Sequence, residues 1–294
     1  MSRDKEVIVL MSSYNGAQYI EEQIKSILSQ SSVKIKLLIR DDGSTDATTD
    51  ILRKFMILDN CSIIFGDNIG AKDSFMWLIN NAPDGNYYAF SDQDDIWEPN
   101  KLISAISKIE NEDCVLYHGL AGRVDSNLNK ITDKRYVPVN TFGASLLTSA
   151  TGCTMVFTGK LMGKLQSYHP NYISMHDAWV YRVCYALGYK VYYDEVSHMK
   201  YRQHNNNVSG GQMTFWQKLK KLKKNAGVKY NVAKSIKECC WNDMSQDNKT
   251  TLEIFLESKH SFIGKCRFAT KRQYKQNSRK TNIQNVVLIF LDLI

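Results

Sequence analysis

The sequence holds no apolar run long enough to cross a bilayer. Its best candidate, "VVLIFLDLI" (286–294), has nine residues and contains an Asp, against the roughly 20 of a membrane helix. The opening "MSRDKE" runs straight into "VIVLM", without the apolar core and cleavage site of a signal peptide. The 7 cysteines are odd in number, form no CxxC pair, and include the adjacent Cys239 and Cys240. That suits neither a disulfide framework nor a zinc site, and the expectation is a reduced, cytosolic protein. There is no GxGxxG and no GxxxxGK[ST], so ordinary Rossmann cofactor sites and P-loops lack their phosphate cradle. Prolines number only 4 in 294 residues, of which 43% are hydrophobic. That is enough for a sizeable core, as one large domain or a domain with an appendage.

Acidic residues are scarce in one region. From Phe215 to Ile294 there are 17 Lys and Arg against 6 Asp and Glu, about +11 of the net +8, which leaves about −3 for residues 1–214. The asymmetry predicts two parts with different jobs, 1–214 and a basic, mainly helical 215–294. Within the second part "WQKLKKLKKN" (216–225) places Trp216, Leu219 and Leu222 among lysines. Such a segment can lie on an anionic membrane surface. A nucleic-acid partner and a solvated helix face are the alternatives.

The first part alternates strand and helix patterns. "VIVLM" (7–11), "IKLLIR" (35–40), "SIIF" (62–65) and "YYAFS" (87–91) are apolar runs of buried-strand type. Helical spacing follows each, over about 17–30, 46–58 with Ser44 or Thr45 as cap, 71–81, and from Pro99 to about Ile109. Four such units predict an α/β fold with a mostly parallel sheet flanked by helices. Ligands bind at the carboxyl ends of such strands, where "SSYNG", "DDGS", "NIG" and "SDQDD" all fall. Further on, "VLYHG" (115–119), "GCTMVF" (152–157) and "YKVYYDEV" (189–196) read as strands and "HDAWVYRVCYAL" (176–187) as a helix.

"FSDQDDIWEP" (90–99) sets Asp92, Asp94 and Asp95 directly after an apolar strand. Three like charges so close repel one another. A hard divalent cation, Mg2+ or Mn2+, would relieve them, since both take carboxylate and phosphate oxygens. The alternative is a solvated acidic turn or cap. Asp41 and Asp42, at the end of the second strand, can accept from a base N–H or a ribose hydroxyl. Turn chemistry explains them as well.

In order and spacing, "MSSYNGAQYIEEQIKSILSQ", "LLIRDDGSTDAT", "NIGAKDSF" and "YYAFSDQDDIWEPNKL" resemble the N-terminal half of family 2 glycosyltransferases with the GT-A fold. "SDQDDIW" is similar to the bacterial rhamnosyltransferase-like branch. The resemblance covers about 7–210 and implies roles. Ser13 and Tyr14 would border the nucleotide base, and Asp42 would bind base or ribose. Asp92 would face the ribose and Asp94 the metal bridging the donor diphosphate, with Asp95 and Asp41 in support. Asp177, at the helix start in "MHDAWV", would be the general base that takes a proton from the acceptor hydroxyl; taken alone it reads better as a cap or a favourable charge at a helix N-terminus, and the upstream motifs reverse that preference. In "YRQHNNN", Arg202 would neutralise phosphate charge and His204 would complete the metal shell, although Asn205 stands where relatives have Gly. Thr151 and Gly152 would border the acceptor.

The implied enzyme is metal-dependent and inverting. It moves a sugar from a nucleotide-diphosphate donor onto a saccharide or lipid-linked oligosaccharide at the cytoplasmic membrane face, with no nucleic-acid partner. A nucleotidyltransferase and a non-catalytic nucleotide-sugar binding module are the rival readings. The first would need a Gly-, Arg- or Lys-rich phosphate loop near the N-terminus, where "SSYNGAQYIEEQ" is acidic.

Overall fold

The computed structural model describes residues 5–132, 136, 138–204, 220 and 225–294. The run at 216–225 expected to touch a membrane thus lies almost wholly outside the described residues, with Trp216, Leu219 and Leu222. The chain forms two compact units. One takes the described residues of Met1–Lys134, Ala150–Ser167 and Lys190–His204, the other those of Arg135–Ser149, Tyr168–Tyr189 and Asn205–Ile294. The charge boundary at 214 does not coincide with this interleaved division.

In the first unit β1 (Glu6–Ser13), β2 (Lys34–Asp41), β3 (Cys61–Phe65) and β4 (Tyr87–Ser91) alternate with α1 (Ile20–Leu28), α2 (Thr48–Phe55) and α3 (Ala71–Asn81). They pair in parallel, in the order β3-β2-β1-β4. The sheet continues through β8 (Val156–Thr158), β6 (Leu116–Gly119) and β9 (Val191–Asp194). Only β8 runs against its neighbours.

The apolar run of β1 follows from cover on both faces. Val7, Val9 and Met11 pack with Ile20, Ile24 and Ile27 of α1 and with Leu102, Ile106 and Ile109 of α4 (Lys101–Glu112). On β4 and β8, Phe90 meets Phe75 of α3 and Phe157, at ring separations of 5.6 and 5.2 Å. A strand covered on both sides has no polar alternation to show.

Two local expectations need correction. "GCTMVF" does not begin as a strand: Gly152–Thr154 is a 3-10 turn, because the Thr151 carbonyl accepts from Thr154 N at 3.1 Å, and β8 starts only at Val156. The helix after "DDGS" starts at Thr48 rather than 46 and is capped by neither Ser44 nor Thr45. Ser44 is instead bonded to Asp41, while Asp46 accepts from Thr48 N at 2.9 Å.

A second sheet, β5-β10-β7, joins β5 (Ile96–Trp97), β10 (Met199–Arg202) and β7 (Gly122–Val124). Because β5 follows the carboxylates by one residue and pairs antiparallel with β10, it draws residues 202–204 beside them.

The second unit is helical. It holds α5 (Phe142–Ser145), α7 (His176–Ala186), α8 (Val228–Cys240), α9 (Gln246–Glu257), α10 (Phe262–Thr270) and α11 (Arg279–Phe290), while α6 (Gly159–Ser167) belongs to the first unit. Among the described residues no helix is long and apolar enough to cross a membrane.

Candidate active site

The sheet register sets three strand ends side by side. Ser13 pairs with Asp41, and Met11 with Ser91. The loops leaving these strands are tied to one another. Gln93 accepts from Tyr14 N and donates to the Tyr14 carbonyl, both at 2.9 Å. The approach is so close that a Cβ on Gly16 would lie 2.2 Å from the Gln93 amide oxygen. Asn15, at φ 47°, receives Thr45 N on its side-chain oxygen at 2.8 Å, and Gly16 N donates to Thr48 Oγ1 at 2.8 Å. The motifs "SSYNG", "DDGSTD" and "SDQDD" therefore form one bonded rim. Tyr14 projects from it 46% exposed, available to a planar ligand.

Asp41 and Asp42 are buried under the rim. Asp41 accepts from Ser13 Oγ at 2.9 Å and from Ser44 N at 2.9 Å. Asp42 pairs with Arg40 and accepts from Ile69 N and Gly70 N at 3.0 and 2.8 Å. Both carboxylates thus hold loops, which is the turn chemistry open to them in the sequence.

The three carboxylates after β4 divide. Asp94 turns to His204, with Oδ2 2.8 Å from Nε2. Asp92 and Asp95 turn to Cys153, all three ligand atoms lying within 4.8 Å of one another. Burial pushes the Asp95 carboxyl well above the usual range, and the charges of Asp92 and Asp94 add to it. Its Oδ1 accepts from Arg202 N at 3.2 Å. Its buried Oδ2 has no hydrogen bond of ordinary geometry, with the Cys153 thiol alongside.

Arg202 is 3% exposed. It donates to the Asp94 carbonyl at 2.9 Å, to the Ser126 carbonyl at 3.0 Å and to Glu22 at 2.7 Å, and it stacks over Tyr19. The guanidinium predicted for a phosphate therefore fixes the Asp94 main chain. Thr151 is exposed and Gly152 buried, at the turn next to Cys153.

Sequence reasoning missed Lys101. This lysine is buried, donates to the Cys153 carbonyl at 2.7 Å and lies 3.7 Å above the Trp97 ring. Burial lowers its amine to about 8, against the opposing pull of Cys153, Asp95 and Asp92. A protein cation is thus buried beside Cys153, within electrostatic reach of Asp95 and Asp92. Its signal was a cation in the first turn of a helix, where the dipole disfavours it.

Asp177 lies in the second unit, in the first turn of α7, where Oδ1 accepts from Ala178 N at 2.6 Å. One residue before it, His176 is buried, and burial lowers its pKa to about 3.

The donor chemistry fits a divalent cation. Two ligand atoms each about 2.1 Å from one ion at a right angle lie about 3 Å apart, near the Asp94–His204 separation. The buried Asp95 carboxyl faces the other way, where with Asp92 and Cys153 it forms a second cluster of donor atoms.

The profile of the family described as "Glycosyl transferase family 2" matches residues 8–183, more than half of the chain. The chain belongs to glycosyl transferase family 2. This glycosyltransferase is 34% identical over 230 residues to the dTDP-rhamnosyl transferase RfbG of Shigella flexneri, covering 72% of this chain and 78% of that one. It is 28% identical over 222 residues to the putative teichuronic acid biosynthesis glycosyltransferase TuaG of Bacillus subtilis, covering 73% and 84%. Its fold is that of S. aureus TarS 1-349, solved in complex with UDP: TM-score 0.59 at 18% identity, over 98% of this chain and 81% of that one. The chain is therefore a sugar transferase with a nucleotide-sugar donor and a GT-A architecture.

Proposed function

We propose that this glycosyltransferase moves a sugar, rhamnose by its likeness to RfbG, from a nucleotide-diphosphate donor to a hydroxyl of a polysaccharide or lipid-linked oligosaccharide in cell-surface polysaccharide synthesis. The observation that carries the chemistry is the Asp94–His204 pair, 110 residues apart in sequence and 2.8 Å apart in space, on a rim at the carboxyl ends of β1, β2 and β4. Asp94 and His204 would hold Mg2+ or Mn2+, with Asp95 in support. A cation held there would supply positive charge opposite the departing diphosphate.

The chain's own residues do the rest. Tyr14 and Ser13 border the base, Asp42 and Asp41 shape its floor, and Asp92 receives the ribose. Arg202 keeps the Asp94 loop in place. Asp177 takes the acceptor hydroxyl's proton as that oxygen bonds to the anomeric carbon and the carbon–diphosphate oxygen bond breaks, with inversion. Thr151 and Gly152 border the acceptor. Residues 1–214 carry the catalysis, and 215–294 bring the enzyme to the anionic cytoplasmic face of the plasma membrane.

A screen of nucleotide-sugars for hydrolysis without acceptor tests the donor and the metal together. Chelator should abolish turnover of one donor, dTDP-rhamnose by this reading, and Mn2+ or Mg2+ should restore it. Asp177→Asn should keep donor binding and lose at least about 100-fold in transfer. Unchanged transfer would remove Asp177 from the mechanism.

A further inference from the structure

From Ser258 to Leu291 the chain carries eight Lys and Arg and no Asp or Glu. In the same stretch large apolar side chains stand in water: Phe262 is 72% exposed, Ile263 66%, Ile283 57% and Leu291 60%. On α11 and its C-cap, Ile283, Val287, Phe290 and Leu291 recur at i, i+4, i+7 and i+8, one helical stripe, while Asn285 and Ile289 are the buried positions of the helix. The ring of Phe290 meets that of Phe262 at 5.9 Å and 77°. The start of α10 and the stripe of α11 are therefore one continuous patch. Beside it opens a groove of about 240 Å³ lined by Phe268, Tyr274, Ile283 and Val287. That is below the roughly 300 Å³ at which small-molecule pockets begin, and its walls are apolar.

An exposed apolar patch of this kind marks an interaction surface. Its charge decides among partners. Two of the eight, Lys265 and Arg267, pair with the flanking Asp292 and Glu257, and the remaining six still leave the region positive, so a second copy docking by the same face would set like charge against like. A nucleic acid would answer the charge and leave the apolar stripe uncovered. An anionic lipid surface answers both, since headgroups take the cations and the acyl boundary takes the stripe.

We propose that the α10–α11 face is the membrane-docking surface of this enzyme. Phe262, Ile263, Ile283 and Leu291 enter the acyl boundary, and the basic residues around them, Lys275 and Arg279 included, meet anionic headgroups. The inference rests on the membrane association proposed above and moves its seat from the lysines of 216–225 to a folded surface.

Sedimentation of the full chain with phosphatidylglycerol–phosphatidylcholine vesicles, and with phosphatidylcholine vesicles alone, tests it. The wild type should bind the mixed vesicles and not the neutral ones. The triple variant Phe262→Ser, Ile263→Ser, Leu291→Ser should bind at least about tenfold more weakly. Lys275→Gln with Arg279→Gln should lose roughly fivefold per charge. Unfolding midpoint and nucleotide-sugar hydrolysis should be unchanged in all of these variants.

If the wild type binds neither vesicle, the membrane reading fails and the inference with it. If the wild type binds and the triple variant binds equally, the membrane reading survives and the α10–α11 face is wrong. Equal binding to neutral vesicles removes the charge argument and overturns the proposal. So does a dimer in solution that the triple variant dissolves, because the face then belongs to a second copy.

Discussion

Lys101 stands in the first turn of α4, the positive end of that helix dipole, and is only 3% exposed. Burying an ammonium there is costly unless nearby charge offsets it. The offset comes from Asp92 and Asp95, both of which act to hold its proton on. The crowding of three carboxylates in four residues is relieved in part at Asp95, whose proton is held well above the usual range, and Lys101 adds a positive charge within reach of Asp92 and Asp95. A divalent cation arriving at Asp94 and His204 must work against that charge. Lys101→Met should therefore bind Mn2+ more tightly, on the order of tenfold, in a titration that counts free Mn2+ without donor. The direction is diagnostic: a lysine that merely supports the fold would, once removed, loosen the site and weaken Mn2+ binding. Lys101→Arg, which keeps the charge, should stay near the wild type. None of this could be read from "WEPNKL", because Cys153, whose carbonyl holds the amine, is 52 residues away.

At the level of elements, the legible parts were those whose signal is local. The continuous runs of β1, β2 and β4 and the helical spacing of α1 and α4 each sit within one stretch of chain. The β5-β10-β7 sheet was not legible, since its strands have two to four residues and exist through pairing across about 80 to 100 positions. The site divides in the same way. The acidic cluster announces itself, whereas the joining of Asp94 to His204 was reached through family resemblance. In the basic region the apolar pattern was poor, yet serines mark three helix starts. Ser245, Ser261 and Ser278 accept from Asn248 N, Gly264 N and Thr281 N, each at 3.3 Å. These caps satisfy backbone donors that a helix start leaves open. Ser261→Ala should cost about 1 kcal/mol and lower the thermal midpoint by a few degrees. Ser261→Asp, which keeps an acceptor at the cap, should restore it.

Across the whole molecule, one buried histidine sits in each compact unit: His118 on β6 and His176 at the start of α7. Burial lowers both to about 3, while an unfolded chain holds its histidines near 6.5. Above about 6.5 both states are neutral at these positions, and the histidines add no pH dependence. Between 6.5 and 3 the unfolded state binds protons that the folded state refuses, so stability must fall as the pH falls. The loss approaches about 1.4 kcal/mol per pH unit for each histidine. Most carboxylates stay ionised down to about pH 5; Asp95, whose proton is held well above the usual range, acts in the opposite sense but is common to wild type and variants, so the histidine share is read from the difference between them. Urea midpoints measured from pH 7.5 to 5 should decline steadily. His118→Gln and His176→Gln should each flatten that decline by the share of one proton, and the double variant by two. If neither changes the slope, these two imidazoles already carry protons in the folded protein, and the acid sensitivity has another source.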